Sequence, residues 1–219
     1  MKKIITADNT ETFLNEQVGE SYHSQTGAVE EALKKYAIPC KIRELAKMQK
    51  KIRILDFCFG LGYNSAMAIS EALAENPQCE IDVIGLEYDQ EIIAKIKEVS
   101  PPISFYQQYQ KLSPQNLEFK QKKIAVKVIL GDARETIKTL AGDHFDAVFY
   151  DPFSPKTSPE MWDTALFEQV WRVMKRSAIV ATYSCARMVR ENMSKAGLFY
   201  DDGPIVGRRG PGTVATKWI

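Results

Sequence analysis

At 219 residues, 45% hydrophobic and 26% charged, the chain can bury one sizeable core and is too short for two ordinary domains with a linker. The opening Met1-Lys2-Lys3-Ile4-Ile5 lacks the apolar stretch of a secretory leader and no window reaches the length of a membrane span, so a cytoplasmic protein with no membrane partner is expected. A formal net charge of +1 argues by itself against a polyanionic partner, yet it conceals segregation: eight basic residues against Glu44 alone between positions 34 and 53, nine against Glu191, Asp201 and Asp202 between 172 and 217, and eight acids against Arg134, Lys138 and Lys156 between 132 and 168. Two basic segments sharing a face would bind phosphates; on separate helix faces they would only be solvated. Cys40, Cys58, Cys79 and Cys185 stand far apart with no CxxC pair and two histidines in the whole chain, so neither a metal site nor a disulfide framework is expected.

Apolar runs of strand length at 52–57, 81–86, 126–130, 145–150 and 178–183 alternate with helical segments, the signature of a parallel sheet covered on both faces. The first run ends in Asp56-Phe57 and a glycine turn, Cys58-Phe59-Gly60-Leu61-Gly62, before an alanine-rich helix predicted over 63–75. Gly60 and Gly62 open backbone conformations closed to other residues and allow close approach of a ligand, while the first helical turn offers unpaired N–H groups. Alone, this is either a nucleotide-type cofactor site or a tight strand-to-helix connection. Residues 101–121 lack clear periodicity and are predicted as an elaborated crossover with short helices, shaping a substrate edge. Ser158 and Pro159 are predicted as N-cap and first position of a helix whose Trp162, Leu166, Phe167, Val170, Trp171 and Met174 recur every three or four residues, a stripe that reads as core. Segments 198–202 and 213–219 are predicted to pair as an antiparallel hairpin across a glycine-rich loop. Five parallel strands finished by such a hairpin predict an α/β, Rossmann-like fold of the class I methyltransferases, with a mostly parallel seven-stranded sheet in a single domain over 1–219.

Two further acids stand at strand ends. Glu87 lies 25 positions beyond Gly62, where a carboxylate accepts from both hydroxyls of an adenosine ribose and would repel a 2′-phosphate. Asp132, with Ala133 after it, closes the third strand at the same edge and can accept from an adenine amino group. A dinucleotide site usually carries the fuller GxGxxG, whereas here Cys58 takes a glycine position and Asn64 and Ser65 follow Gly62. S-adenosylmethionine has no phosphate and tolerates a less open loop, so it is the expected cofactor in preference to NAD or FAD.

The fourth strand delivers Asp151-Pro152-Phe153-Ser154-Pro155-Lys156, the most specific short motif of the chain. Groups beyond the carboxyl ends of central strands line the ligand crevice of an open α/β sheet, so Asp151 is predicted to face the transferable methyl group. The prolines remove N–H groups and leave carbonyls to accept, so Asp151 and a neighbouring carbonyl can hold an amine and aim its lone pair; the Phe153 ring can stack on a planar base. The alternative for Asp151 is a rigid turn with its carboxylate capping the helix at Ser158.

These residues resemble the methyltransferase half of the bifunctional tRNA-modification enzyme MnmC, a family that also occurs as stand-alone proteins. The marks run from Thr6-Ala7-Asp8 and Gly19-Glu20-Ser21-Tyr22-His23-Ser24-Gln25-Thr26-Gly27-Ala28, through Phe59-Gly60-Leu61-Gly62-Tyr63-Asn64 and Gly85-Leu86-Glu87, to Asp151-Pro152-Phe153-Ser154-Pro155-Lys156, Pro159-Glu160-Met161-Trp162 and Thr182-Tyr183-Ser184. The resemblance implies methyl transfer from S-adenosylmethionine to the primary amine of wobble 5-aminomethyluridine in tRNA, often 2-thiolated, with another enzyme supplying the aminomethyl group. It implies that residues 1–45 cover the cofactor cleft, with Tyr22 and His23 in its wall beside Gly60, Gly62, Asn64, Glu87, Asp132 and Ala133. Asp151 is then the catalytic residue, and Pro152, Phe153 and Ser154 meet the substrate. By itself, His23 would be an ordinary hydrogen-bonded or surface histidine. No FAD-dependent oxidase half is expected after Ile219, and Gly207-Arg208-Arg209-Gly210-Pro211-Gly212 departs from the family's tail of a glycine followed by basic residues. The alternatives are an enzyme that methylates, or transfers an aminopropyl group to, a free small amine, and a non-catalytic RNA-binding module.

Overall fold

A computed structural model describes residues 1–207 and 209–217. Three short strands, β1 (Lys2–Ile5), β2 (Glu11–Asn15) and β3 (Glu20–Ser21), form an antiparallel sheet of their own. Helix α1 (Ala28–Glu31) runs directly into a π-helical segment, Ala32–Ala37, and α2 (Ile42–Met48) follows. The main sheet then opens with β4 (Lys51–Phe57), α3 (Tyr63–Glu75), β5 (Glu80–Glu87) and α4 (Gln90–Lys95). A 3₁₀ stretch, Tyr106–Lys111, precedes β6 (Glu118–Gln121) and β7 (Ile124–Leu130). After α5 (Ala133–Thr136) come β8 (Phe145–Tyr150), α6 (Thr164–Val173), β9 (Met174–Thr182), α7 (Arg187–Lys195), β10 (Leu198–Asp202) and β11 (Thr213–Lys217).

The strand order is β10-β11-β9-β8-β4-β5-β7-β6, with β9, β8, β4, β5 and β7 parallel and both flanks antiparallel. Alternation along the central strands splits the core: Ile52 and Ile54 face α3 and the α1–α2 layer, whereas Leu55 and Phe57 face the α6 side. The parallel register places Phe57, Glu87 and Tyr150 at one edge, where every functional loop begins. The fold is the expected α/β class I methyltransferase architecture.

Three expectations change, and one holds over the residues described. The sheet has eight strands, because β6 pairs with β7; in Glu118-Phe119-Lys120-Gln121 only Phe119 is buried, too weak an apolar signal to mark a strand. The predicted strand 213–219 forms over Thr213–Lys217; positions 218 and 219, and Arg208 in the preceding loop, lie outside the described residues. Ser158 makes no capping hydrogen bond: Pro159–Trp162 is a separate 3₁₀ turn, and Asp163 caps α6 by accepting from Leu166 N at 2.7 Å. Trp171 leaves the buried stripe at 38% exposure and lies under the Lys217 ammonium, 4.3 Å from its ring centre.

Several of the segregated charges are matched by partners. Lys34, Lys35, Arg43, Lys47 and Lys51 pair with Glu30, Glu31, Glu71, Glu75 and Asp82, while Lys175 and Lys217 pair with Asp146 and Asp143 of the acidic stretch. The two basic segments do meet: Arg53 N–H and Lys175 Nζ both reach Asp146, at 2.8 and 2.6 Å. That meeting lies at the amino ends of the strands, opposite the functional loops. Among the described residues, no helix is long and apolar enough to cross a membrane.

Candidate functional site

Beyond the carboxyl ends of β4, β5, β7 and β8 lies a cleft of about 970 Å³. Tyr22, His23, Glu87, Asp132, Ala133, Asp151, Pro152, Phe153 and Ser154 all line it. Gly60, Gly62 and Asn64 do not line it and act from behind. The small sheet and the turn after it form one rim, and from Ala28 onward the predicted cover becomes a helical layer against α3.

The glycine turn works through its own amides. Gly60, at φ +55°, donates its N–H to Glu87 Oε2 at 2.7 Å, and Phe59 N donates to Leu86 O at 2.9 Å. Cys58, which replaces a glycine, takes φ +63° and lines the cleft. Gly62 sits at φ +73°, and a Cβ there would stand 2.7 Å from the rings of Phe59 and Tyr109, so packing dictates glycine at this position. Tyr109 belongs to the 3₁₀ stretch; the crossover therefore supports the turn from beneath and does not border the cleft. Gly62→Ala should lower the unfolding free energy by about 3 kcal/mol through overpacking and left-handed strain. Urea unfolding measures it, and a loss under about 1 kcal/mol would contradict this packing account.

Glu87 is buried and its carboxylate accepts three backbone N–H bonds, from Gly60 at Oε2 and from Tyr88 and Asp89 at Oε1, at 2.9 and 2.8 Å. Burial pushes its pKa up to about 7 against those bonds. Of about four acceptor positions on a carboxylate, one remains for a ligand hydroxyl. Asp132 caps α5 through Arg134 N and is gripped by the Arg134 guanidinium, which holds its pKa below the ordinary carboxylate value. Tyr22 donates to Asp89 Oδ2 at 2.6 Å and meets the Phe153 ring edge-on at 5.2 Å. His23 stacks on Tyr63 at 4.6 Å and shares a 3.0 Å hydrogen bond between Nδ1 and Thr12 Oγ1; burial lowers its pKa to about 4, leaving a neutral ring.

At the reactive edge, Asp151 N donates to Phe57 O at 3.1 Å and its Oδ2 accepts from Asn64 Nδ2 at 3.0 Å. The carboxylate caps no helix. Burial, followed by the charge of Glu31, pushes its pKa up to about 7. The carbonyls after it are already engaged: Pro152 O accepts from Tyr183 Oη at 3.0 Å and Phe153 O from Trp162 Nε1 at 2.9 Å. An amine here would be held by Asp151, whose carboxylate Asn64 Nδ2 orients from behind, while each proline-flanked carbonyl already accepts one hydrogen bond from an aromatic side chain. Ser154 gives both its N–H, at 2.9 Å, and its hydroxyl, at 2.5 Å, to Glu20 of β3, and the Thr157 hydroxyl also donates to Glu20. Glu20, Glu31 and Asp89 are functional-looking acids that sequence reasoning did not single out. The Tyr-His-Ser run beside Glu20, and the spacing of Glu31 to Lys35, were the available signals.

The donor set decides which cofactor class fits. The Gly60 amide is committed to Glu87, so the turn keeps no amide nest for a pyrophosphate, and Glu20, Glu31, Glu87, Asp89, Asp132 and Asp151 make the cleft acidic. A cationic, phosphate-free adenosyl compound fits this set; a dinucleotide does not. Among the described residues, no group of three or more His, Cys, Asp or Glu side chains is arranged to hold a metal ion.

Comparison with known proteins points the same way. A family profile described as S-adenosyl-L-methionine-dependent methyltransferase matches residues 90–218. The crystal structure of MNMC2 from Aquifex aeolicus is 34% identical, with a TM-score of 0.89 over 98% of this chain and 70% of that one. An uncharacterized protein of Methanocaldococcus jannaschii is 29% identical over 97% of this chain and 58% of its own length. The tRNA 5-methylaminomethyl-2-thiouridine biosynthesis bifunctional protein MnmC of Leptospira interrogans is 28% identical over 94% of this chain, which spans 34% of that protein. A SAM-dependent methyltransferase from Aquifex aeolicus, 15% identical with a TM-score of 0.51, shares the fold alone.

Proposed function

Because this chain belongs to the S-adenosyl-L-methionine-dependent methyltransferase family, as its methyltransferase domain related to MnmC, we propose that it methylates the primary amine of wobble 5-aminomethyluridine, 2-thiolated or not, in tRNA. The observation that carries this reading is Asp151, set at the end of a central strand on an acidic cleft floor with Asn64 beside it. S-adenosylmethionine would supply an electrophilic methyl group with its leaving group already built in. Glu87 and Asp132 would hold its ribose and adenine, and Asp151, oriented by Asn64, would meet cationic nitrogen. Asp151 holds the incoming amine and accepts its ammonium proton, so that the nitrogen lone pair faces the methyl carbon; Phe153 and Tyr22 offer aromatic surface to the uracil ring. The aminomethyl group would come from a separate enzyme acting earlier on the same cytoplasmic tRNA.

Methyl transfer from labelled S-adenosylmethionine to tRNA carrying 5-aminomethyluridine, followed by nucleoside analysis, tests the substrate. Label in 5-methylaminomethyluridine is expected, and label in any other nucleoside would overturn the assignment. A free small amine is the second reading, favoured by the acid-lined cleft and by the pairing of Arg43, Lys47 and Lys175 of the basic segments with acids. Salt separates the two, since KM for tRNA rises steeply with ionic strength and KM for a small amine hardly moves.

A further inference from the structure

Six consecutive π-helical residues are a long run of a rare element, and such segments occur frequently at functional sites. Ala32–Ala37 aims Tyr36 beneath the carboxyl edge of the sheet. Its ring packs edge-on against Phe149 at 5.9 Å, two residues before Asp151 in the chain. Tyr36 is fully buried, and no hydrogen bond is closed at its Oη. One turn earlier, Glu31 is buried and lines the cleft that holds Asp151. Its Oε1 takes the Lys35 ammonium at 2.5 Å and its Oε2 the Ser24 N–H at 2.8 Å. Lys35 is buried as well. Apolar side chains of similar volume commonly stabilise a fold as well as a buried ion pair does, so this pair is poorly explained by stability alone.

We propose that Tyr36 and Glu31 are positioning residues for Asp151: Tyr36 donates to its carboxylate, Glu31, pinned by Lys35, stands behind it as a second buried negative charge, and together they make Asp151 the proton acceptor for a primary ammonium substrate. This arrangement rests on the amine-methylating reading above. An ammonium group entering the cleft is drawn by both carboxylates. One N–H bond breaks, its electron pair stays on nitrogen, and the proton passes to Asp151. That pair forms the new N–C bond as the methyl–sulfur bond breaks with its electrons going to sulfur. Asp151 then returns its proton to solvent.

Opposed influences tune the acceptor. Burial and then the Glu31 charge raise the Asp151 pKa, while the nearby Tyr36 hydroxyl, the Asn64 hydrogen bond and the Lys35 charge lower it. Asp56 and Cys58, from β4 and the turn after it, also face Asp151; Tyr183 bonds the next carbonyl, and Glu20 and Glu87 stand across the cleft.

Titration of the aspartate carboxyl carbons by NMR tests this without substrate, with Asp151→Asn identifying the Asp151 signal. Glu31→Gln should lower the Asp151 midpoint and Tyr36→Phe should raise it, each by on the order of one pH unit. The double variant Glu31→Gln with Lys35→Met strands no lysine and should lower it too. In methyl transfer, the acid limb of the kcat profile should move in the same directions. Unmoved midpoints, or shifts of opposite sign, in variants folded by circular dichroism would overturn the arrangement. Displaced midpoints without methylation of 5-aminomethyluridine would instead overturn the substrate assignment and leave the tuning of Asp151 standing.

Discussion

Asp151→Asn lowers the rate of methyl transfer by about 10³-fold, within the range that a positioned acid or base contributes. The amide keeps a hydrogen bond to Asn64 after rotation and keeps the size of the side chain, so the fold and cofactor affinity stay near wild type. What it loses is the negative charge that holds an ammonium and the oxygen that takes its proton. The pH profile carries the sign. With its pKa near 7, Asp151 is ionised above that value and protonated below it, so wild-type activity falls as pH drops through about 7. That inflection disappears in the variant. Single-turnover transfer of labelled methyl groups measures both effects, and a variant within tenfold of wild type would remove Asp151 from the chemistry.

Glu87→Gln has the second largest expected effect, and it falls on binding. The carboxylate accepts from Gly60, Tyr88 and Asp89, and an amide can accept on one side only. Its NH₂ group would face a backbone N–H, which displaces either the glycine turn or the start of α4. Hydrogen bonds to charged groups contribute about 1.5–3 kcal/mol, so S-adenosylmethionine affinity should fall by about 10- to 100-fold. Calorimetric titration measures the affinity, and a parallel thermal melt shows the accompanying loss of stability. Unchanged affinity together with a lowered melting temperature would restrict Glu87 to a structural role.

The acids that terminate strands are legible because each follows an apolar run of strand length, which fixes where the chain leaves the sheet. Glu87, Asp132 and Asp151 therefore came to one cleft from spacing alone. Glu31, Lys35 and Tyr36 were not legible. A Glu and a Lys four apart on a helix ordinarily form a solvated pair, and only the packing of that helix under the sheet buries this one. Ser158 and Asp163 are chemically equal cap candidates, and the 3₁₀ turn between them gave the position to Asp163. Gly62 is a special backbone position, but its reason lies in Phe59 of the same turn and in Tyr109, brought in from a distant segment. The role of Glu20 has the same cause: it stands beside the Tyr-His-Ser run, but its partner Ser154 is 134 residues away.

That last contact bears on how the molecule assembles. The small sheet shares no strand with the large one, and the bonds of Glu20 to Ser154 and of Tyr22 to Asp89 bridge them over the cleft, closing chain loops of 134 and 67 residues. Closing loops of that length costs entropy that the contacts across the cleft must offset. The site is thus also the seam of the chain. A ligand seated there bonds to both sides of that seam and stabilises the native state in proportion to its concentration over its Kd.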